Sequence, residues 1–149
     1  GYNSRLDELQ AALLSMKLPF LQQWTEQRRQ LAALYTAQLS DIETLVLPAA
    51  ADPDNHVWHL FVVRTQERDA LAQHLSARGI GWMIHYPLPP HLQEAYRSLG
   101  YQRGDFPLAE QIADTCLSLP LFPGMSAAQV EQVAEAVREG LKGGLMDRG

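Results

Sequence analysis

Val57-Trp-His-Leu-Phe-Val-Val-Arg64 is the most strand-like stretch of this sequence. It is β-branched and aromatic on both alternating faces, so it reads as a central strand covered on two sides, with His59 sharing a face with Phe61 and Val63. A lone histidine on such a face fits a satisfied core residue better than a ligand. Glu67 to Ala77 follows, with Leu71 and Leu75 four apart on one helical face and Gly79 placed to cap the C-terminus. Ile80-Gly-Trp-Met-Ile84 then returns to an apolar run suited to a second covered strand. Strand, helix and strand make a βαβ unit, and the rest of the chain is read outward from it.

Upstream, Asn3 or Ser4 can cap a helix, with Asp7 as an acid in its first turn. Leu6, Leu9, Leu13 and Met16 recur at helical spacing, and the pattern resumes after Pro19 through Phe20, Trp24, Leu31, Leu34, Tyr35 and Leu39. Proline cannot donate to the carbonyl four residues back, so a long N-terminal helix or kinked helix pair over residues 1–40 should break just before Pro19. The apolar content of residues 6–24 suits either a subunit or domain interface or a core-facing helix. Leu45 to Pro48 reads as a short strand, and Ala49 to Asn55 as a connector.

Downstream, His91 to Leu99 reads as a short helix ended by Gly100, and Tyr101 to Phe106 as an exposed loop. Pro107 to Asp114 is a helix with proline in its first turn, and Thr115 to Leu121 is a third strand. Ser126 and Gln129 form a capping box, after which Val130, Val133, Val137 and Leu141 make one apolar stripe that should pack on the sheet. The predicted fold is α/β, a small domain of α+β type. Its helical N-terminal segment precedes a three-stranded, mainly antiparallel sheet covered by helices, with residues 116–121 between the other two strands. Residues 41–142 would form the domain proper, and 143–149 a flexible tail.

Composition narrows the function classes. The chain has 149 residues, 46% of them hydrophobic, enough for one real core. Lys and Arg number 12 against 17 Asp and Glu, with neither sign in blocks, which argues against nucleic acid or a polybasic membrane contact. Cys116 lies in an apolar run and reads as a buried thiol of a reducing compartment, so the expected location is cytoplasmic. No run approaches bilayer-spanning length, and the opening Gly-Tyr-Asn reads as that of a fragment.

The most informative stretch for function is Ile80 to His91. His85 and Tyr86 emerge at the end of an apolar strand, and Pro87, Pro89 and Pro90 stiffen the next residues into an extended arm. A rigid polar pair at a strand's carboxyl end suits ligand contact, although from these residues alone a plain strand-to-loop exit is the stronger reading. No metal site is expected: His56 and His59 fall on opposite strand faces, and His85 and His91 are separated by the proline arm. A nucleophile elbow and a glycine-rich phosphate loop are both absent from the sequence.

Gly1-Tyr-Asn-Ser-Arg-Leu-Asp-Glu-Leu-Gln-Ala-Ala12 resembles the G-x-N-x-R-x-x-E-L-Q-A-A segment of the DegT/DnrJ/StrS family of PLP-dependent sugar aminotransferases. Later pieces keep the family's order: His59-Leu-Phe-Val-Val, Arg78-Gly-Ile, His85-Tyr-Pro with Pro90-His91, Pro107-Leu-Ala-Glu, and Leu117-Ser-Leu-Pro120-Leu. The series runs from residue 1 to about residue 141 and corresponds to the C-terminal part of such proteins. The chain departs from the family at Leu13-Leu14-Ser15-Met16-Lys17 and at Pro19, which bears on the details of dimer packing.

By this resemblance the parent protein is a homodimer that transfers an amino group, typically from glutamate, to a keto-sugar nucleotide through pyridoxal 5'-phosphate (PLP). Asn3 would be a ligand of the cofactor phosphate, Arg5 a neighbour of cofactor or substrate phosphates, and His85 and Tyr86 would line the nucleotide-sugar side of the pocket. From the residues alone, the alternative readings are a helix cap for Asn3 and a solvated first-turn cation for Arg5. The two lysines, Lys17 and Lys142, both read as surface residues rather than as a desolvated Schiff-base lysine, so catalysis would need the family's larger N-terminal domain. The alternative is a catalytically silent domain with a role in folding or dimerisation.

Overall fold

Asp7, rather than Ser4, starts the first helix: its Oδ1 accepts hydrogen bonds from Leu9 N at 2.9 Å and Gln10 N at 3.4 Å. The structure is a computed structural model and describes residues 4–50, 52 and 55–143; Asn3 and the expected tail from residue 144 lie outside the described residues. Helix α1 runs Glu8–Lys17, and α2 runs Leu21–Leu39. Between them Pro19 occupies a 3-10 turn, Leu18–Phe20, so the break falls where the missing N–H requires it. The two helices differ in burial. None of α1 is buried, whereas Leu31, Ala32, Tyr35 and Leu39 of α2 enter the core.

The sheet is smaller than the sequence predicts. Strand β1, Phe61–Arg64, pairs antiparallel with β2, Cys116–Leu119, Phe61 facing Leu119 and Arg64 facing Cys116. Isolated bridges extend this ladder on both sides, Val46 to Arg64 and Met83 to Ser118. Residues 116–119 therefore lie between β1 and the Met83 segment, as expected, but the third strand is reduced to one bridge. Gly81 weakens that run, and among the described residues no ladder bond continues beyond Met83. The first strand is also shorter than expected. Trp58 has φ +47°, so the extended conformation is broken there, residues 57–60 fall outside the strand, and His59 is exposed instead of sharing the buried face of Phe61 and Val63.

Helix α3, Arg68–Ala77, ends in a Schellman turn: Ile80 N donates to Leu75 O at 2.9 Å, and Gly79 takes φ +71°. Helix α4 is Pro107–Thr115, and α5 is Ala127–Gly143. The capping box before α5 forms, with Ser126 N donating to Gln129 Oε1 and Gln129 N to Ser126 Oγ. Val130, Val133, Val137 and Leu141 are all buried, and α5 packs against both α2 and α3. Arg138 ties α5 to the end of α2, reaching Asp41 at 2.7 and 2.8 Å and the Gln38 carbonyl at 2.6 Å.

The helix expected over residues 91–99 is instead two 3-10 turns, Pro90–Leu92 and Glu94–Leu99, because Gln93 between them is extended at ψ 146°. Gly100 closes the second turn at φ +76°.

Candidate functional site

The arm from Ile80 holds His85 and Tyr86 differently. His85 is half-buried, and its Nδ1 lies 2.8 Å from the Oγ of Ser118, a buried side chain in the middle of β2. Tyr86 is 71% exposed, and its ring meets that of His85 edge-on at 5.6 Å between centroids; the peptide bond joining them is cis. His85 and Ser118 line an open cleft of about 720 Å³ whose apolar walls include Trp82, Phe122 and Met125, with Gln129 at one side. Tyr86 lines a separate hollow of about 250 Å³ with Leu88, Pro89 and Ile112. The pair thus faces two cavities. A cleft of about 770 Å³ beside Trp58 contains none of the residues singled out from the sequence.

Beyond the proline arm, Glu110 of α4 organises the loop at residues 100–106. Its carboxylate accepts from Gly104 N at 2.8 and 2.9 Å, from Phe106 N at 3.3 Å and from His91 Nε2 at 3.0 Å. Burial pushes the Glu110 carboxyl up, but the hydrogen bonds from Gly104, His91 and Phe106, with the charge of His91 when protonated, outweigh it and hold the group below the usual glutamate range. Arg103 anchors the same loop through a two-pronged ion pair to Asp114 at 3.0 and 3.4 Å. Each partner shifts the other away from neutrality: the hydrogen bond and charge of Arg103 lower the Asp114 carboxyl, while those of Asp114 raise the Arg103 guanidinium.

Sequence reasoning missed Ser118 and Glu110 as supporting residues. Both stand inside motifs of the sequence, Leu117-Ser-Leu and Pro107-Leu-Ala-Glu, but their partners are 33 and 19 residues away. Only the pairing of residue 118 with residue 83 and the return of the 91–106 excursion bring those partners near.

Of the other expected site residues, Asn3 lies outside the described residues, and Arg5 is exposed ahead of α1. Lys17 and Lys142 are exposed on α1 and α5, and neither lines the cleft with His85. The described residues therefore do not fit PLP held covalently by this chain alone. Among them there is no group of three or more His, Cys, Asp or Glu side chains able to hold a metal, and no helix long and apolar enough to cross a membrane.

The family model of the DegT/DnrJ/EryC1/StrS aminotransferase family matches residues 1–138. A dTDP-3-amino-3,6-dideoxy-alpha-D-galactopyranose transaminase of Aneurinibacillus thermoaerophilus is 48% identical over 92% of this chain and 37% of its own length. A pleiotropic regulatory protein of Geobacillus stearothermophilus is also 48% identical, over 93% of this chain and 38% of its own. Among solved structures, S. venezuelae DesV in complex with a ketimine intermediate superposes with a TM-score of 0.89 at 46% identity, covering 93% of this chain and 38% of that one. The chain spans about 38% of the length of such relatives.

Proposed function

The chain belongs to the DegT/DnrJ/EryC1/StrS aminotransferase family, and from that premise we propose that it is the C-terminal part of a PLP-dependent enzyme moving an amino group, typically from glutamate, to a keto-sugar nucleotide. The observation that carries this reading is the match over residues 1–138, shared with a relative that is a sugar-nucleotide transaminase. In this proposal the parent is a cytoplasmic homodimer. The Schiff-base lysine lies in the part of the protein that this chain does not contain, since Lys17 and Lys142 are surface residues. PLP, when bound there, would supply the electron sink of transamination.

The residues of this chain would bind and orient. His85 and Tyr86 are the proposed contacts to the sugar nucleotide, each supporting the reading by lining a cavity. Asn3 and Arg5 are the proposed phosphate contacts, and that part rests on the motif at residues 1–12.

The test is glutamate-dependent amination of keto-sugar nucleotides by the complete parent protein. His85→Ala or Tyr86→Phe should lower kcat/KM by about one to two decades, the scale of one hydrogen bond to a charged ligand group, with PLP binding nearly unchanged. Wild-type kinetics in both variants would remove these residues from the site, and no amination of any keto-sugar nucleotide would remove the function.

A further inference from the structure

A neutral imidazole carries one hydrogen, and the partner of one nitrogen decides what the other can offer. Among the described residues His85 has one hydrogen-bond partner, the Oγ of Ser118 at 2.8 Å from Nδ1. Ser118 is 3% exposed and its hydroxyl likewise has no other partner among them, while its main-chain N–H and C=O are both committed to Met83. A buried O–H that donates to nothing is costly, whereas a hydroxyl oxygen left without a donor is tolerated more easily. The hydroxyl hydrogen therefore belongs on the line to Nδ1, and the ring hydrogen on Nε2. Nε2 has no partner among the described residues and is not among the buried unsatisfied atoms, and His85 lines the 720 Å³ cleft.

We infer that Ser118 is a positioning residue for His85, donating to Nδ1 so that Nε2–H is presented to the cleft as a fixed hydrogen-bond donor. The group it would meet is an acceptor oxygen, such as a carbonyl, hydroxyl or phosphate oxygen, on a ligand whose apolar part rests on Trp82 and Phe122. A fixed donor loses no tautomer freedom when the ligand arrives, which is the gain from placing a buried serine behind an otherwise half-exposed ring. The sheet supplies the rigidity. Met83 and Ser118 exchange both main-chain hydrogen bonds, 2.7 and 3.3 Å long, so the arm that carries His85 is tied to the strand residue that orients it.

This inference rests on the reading of His85 as a ligand contact, but its test needs neither ligand nor activity, so the two can fail separately. The chain is labelled with 15N-histidine, held at about pH 8 where an ordinary histidine is neutral, and its ring nitrogens are assigned with His85→Gln. In the wild type, His85 should show a bare Nδ1 and a protonated Nε2, while the exposed His59 shows the averaged shifts of a freely exchanging ring. In Ser118→Ala, the tautomer ratio at His85 should fall by about five- to tenfold, the scale of one neutral hydrogen bond. Ser118→Thr, which keeps the hydroxyl, should restore the wild-type pattern. A protonated Nδ1 in the wild type would overturn the assignment, as would His85 shifts that Ser118→Ala leaves unchanged. Should Ser118→Ala not fold, the comparison of His85 with His59 decides: averaged shifts at both rings overturn the inference, and a single tautomer at His85 alone supports it.

Discussion

Gly140 of α5 runs so close to His74 of α3 that a Cβ at that position would lie 3.1 Å from the ring, and the same distance from Leu71 Cδ1. The missing side chain is what lets these helices approach, while Arg78 at 2.9 Å from Glu139 joins them along the surface. Replacing a helical glycine by alanine ordinarily gains up to about 1 kcal/mol. Here fully buried Leu71 would have to move, and overpacking costs about 1–3 kcal/mol. Gly140→Ala should therefore destabilise the fold by about 1 kcal/mol in urea unfolding, and Gly140→Val by more. A stabilised Gly140→Ala would show that Leu71 and His74 can yield without loss.

The Glu110 network should make the 100–106 loop sensitive to acid. Because the folded carboxyl sits below the usual glutamate range, its contribution is complete above that range and is lost as pH falls through the lowered value. Amide exchange at Gly104 and Phe106 should accelerate in that acid window before the β1–β2 ladder opens. Glu110→Gln keeps the shape but loses the charge, so the loop should exchange faster at neutral pH and lose its acid response. Equal exchange in wild type and variant would remove Glu110 as the anchor.

Tyr35 bears on the opposite end of the pH scale. Its hydroxyl donates to the Pro120 carbonyl at 2.9 Å, its ring stacks on Phe61, and burial pushes its phenol well above the ordinary value of 10.0. A raised tyrosine stabilises the fold fully below the unfolded-state value, and that contribution fades as pH rises above it. Tyr35 should therefore contribute tyrosinate absorbance only on unfolding. Tyr35→Phe should cost about 1 kcal/mol, the net value of one hydrogen bond.

How far the chain could be read in advance depended on whether a feature is local. Pro19, Gly79 and the Ser126–Gln129 box act within a turn of themselves, and each break or cap formed where the sequence put it. The α5 stripe was legible for the same reason, since helical spacing alone selects its buried face. Strand extent was not. Nothing in Val57-Trp-His-Leu60 announces the positive φ of Trp58, and a residue in that conformation flips the alternation on which the placement of His59 relied. Ser118 and Glu110 stayed hidden because their partners are distant in sequence, whereas His85 and Tyr86 stood out through the prolines beside them. That reading could not foresee that the two rings would face different cavities.

Helix α1 supplies the last expectation. Leu6, Leu9, Leu13 and Met16 are 63%, 71%, 53% and 72% exposed, and Leu18, Phe20 and Leu21 continue the apolar surface past the 3-10 turn. Scattered exposed leucines are ordinary, but with Leu14 there are eight large apolar side chains exposed within sixteen residues, a density of the kind that marks an interface. The homodimer proposed for the parent protein would give that patch a role, and in this chain alone it should drive self-association at micromolar concentrations. Leu13→Glu puts a charge in the middle of the patch while touching nothing in the core, so thermal stability should stay within about 0.5 kcal/mol of wild type. The dissociation constant of the oligomer should rise at least about tenfold, the scale of one buried leucine. Sedimentation velocity over a concentration series reads both proteins directly. A wild-type chain that remains monomeric throughout, or a variant that associates as tightly as wild type, would take α1 out of the interface.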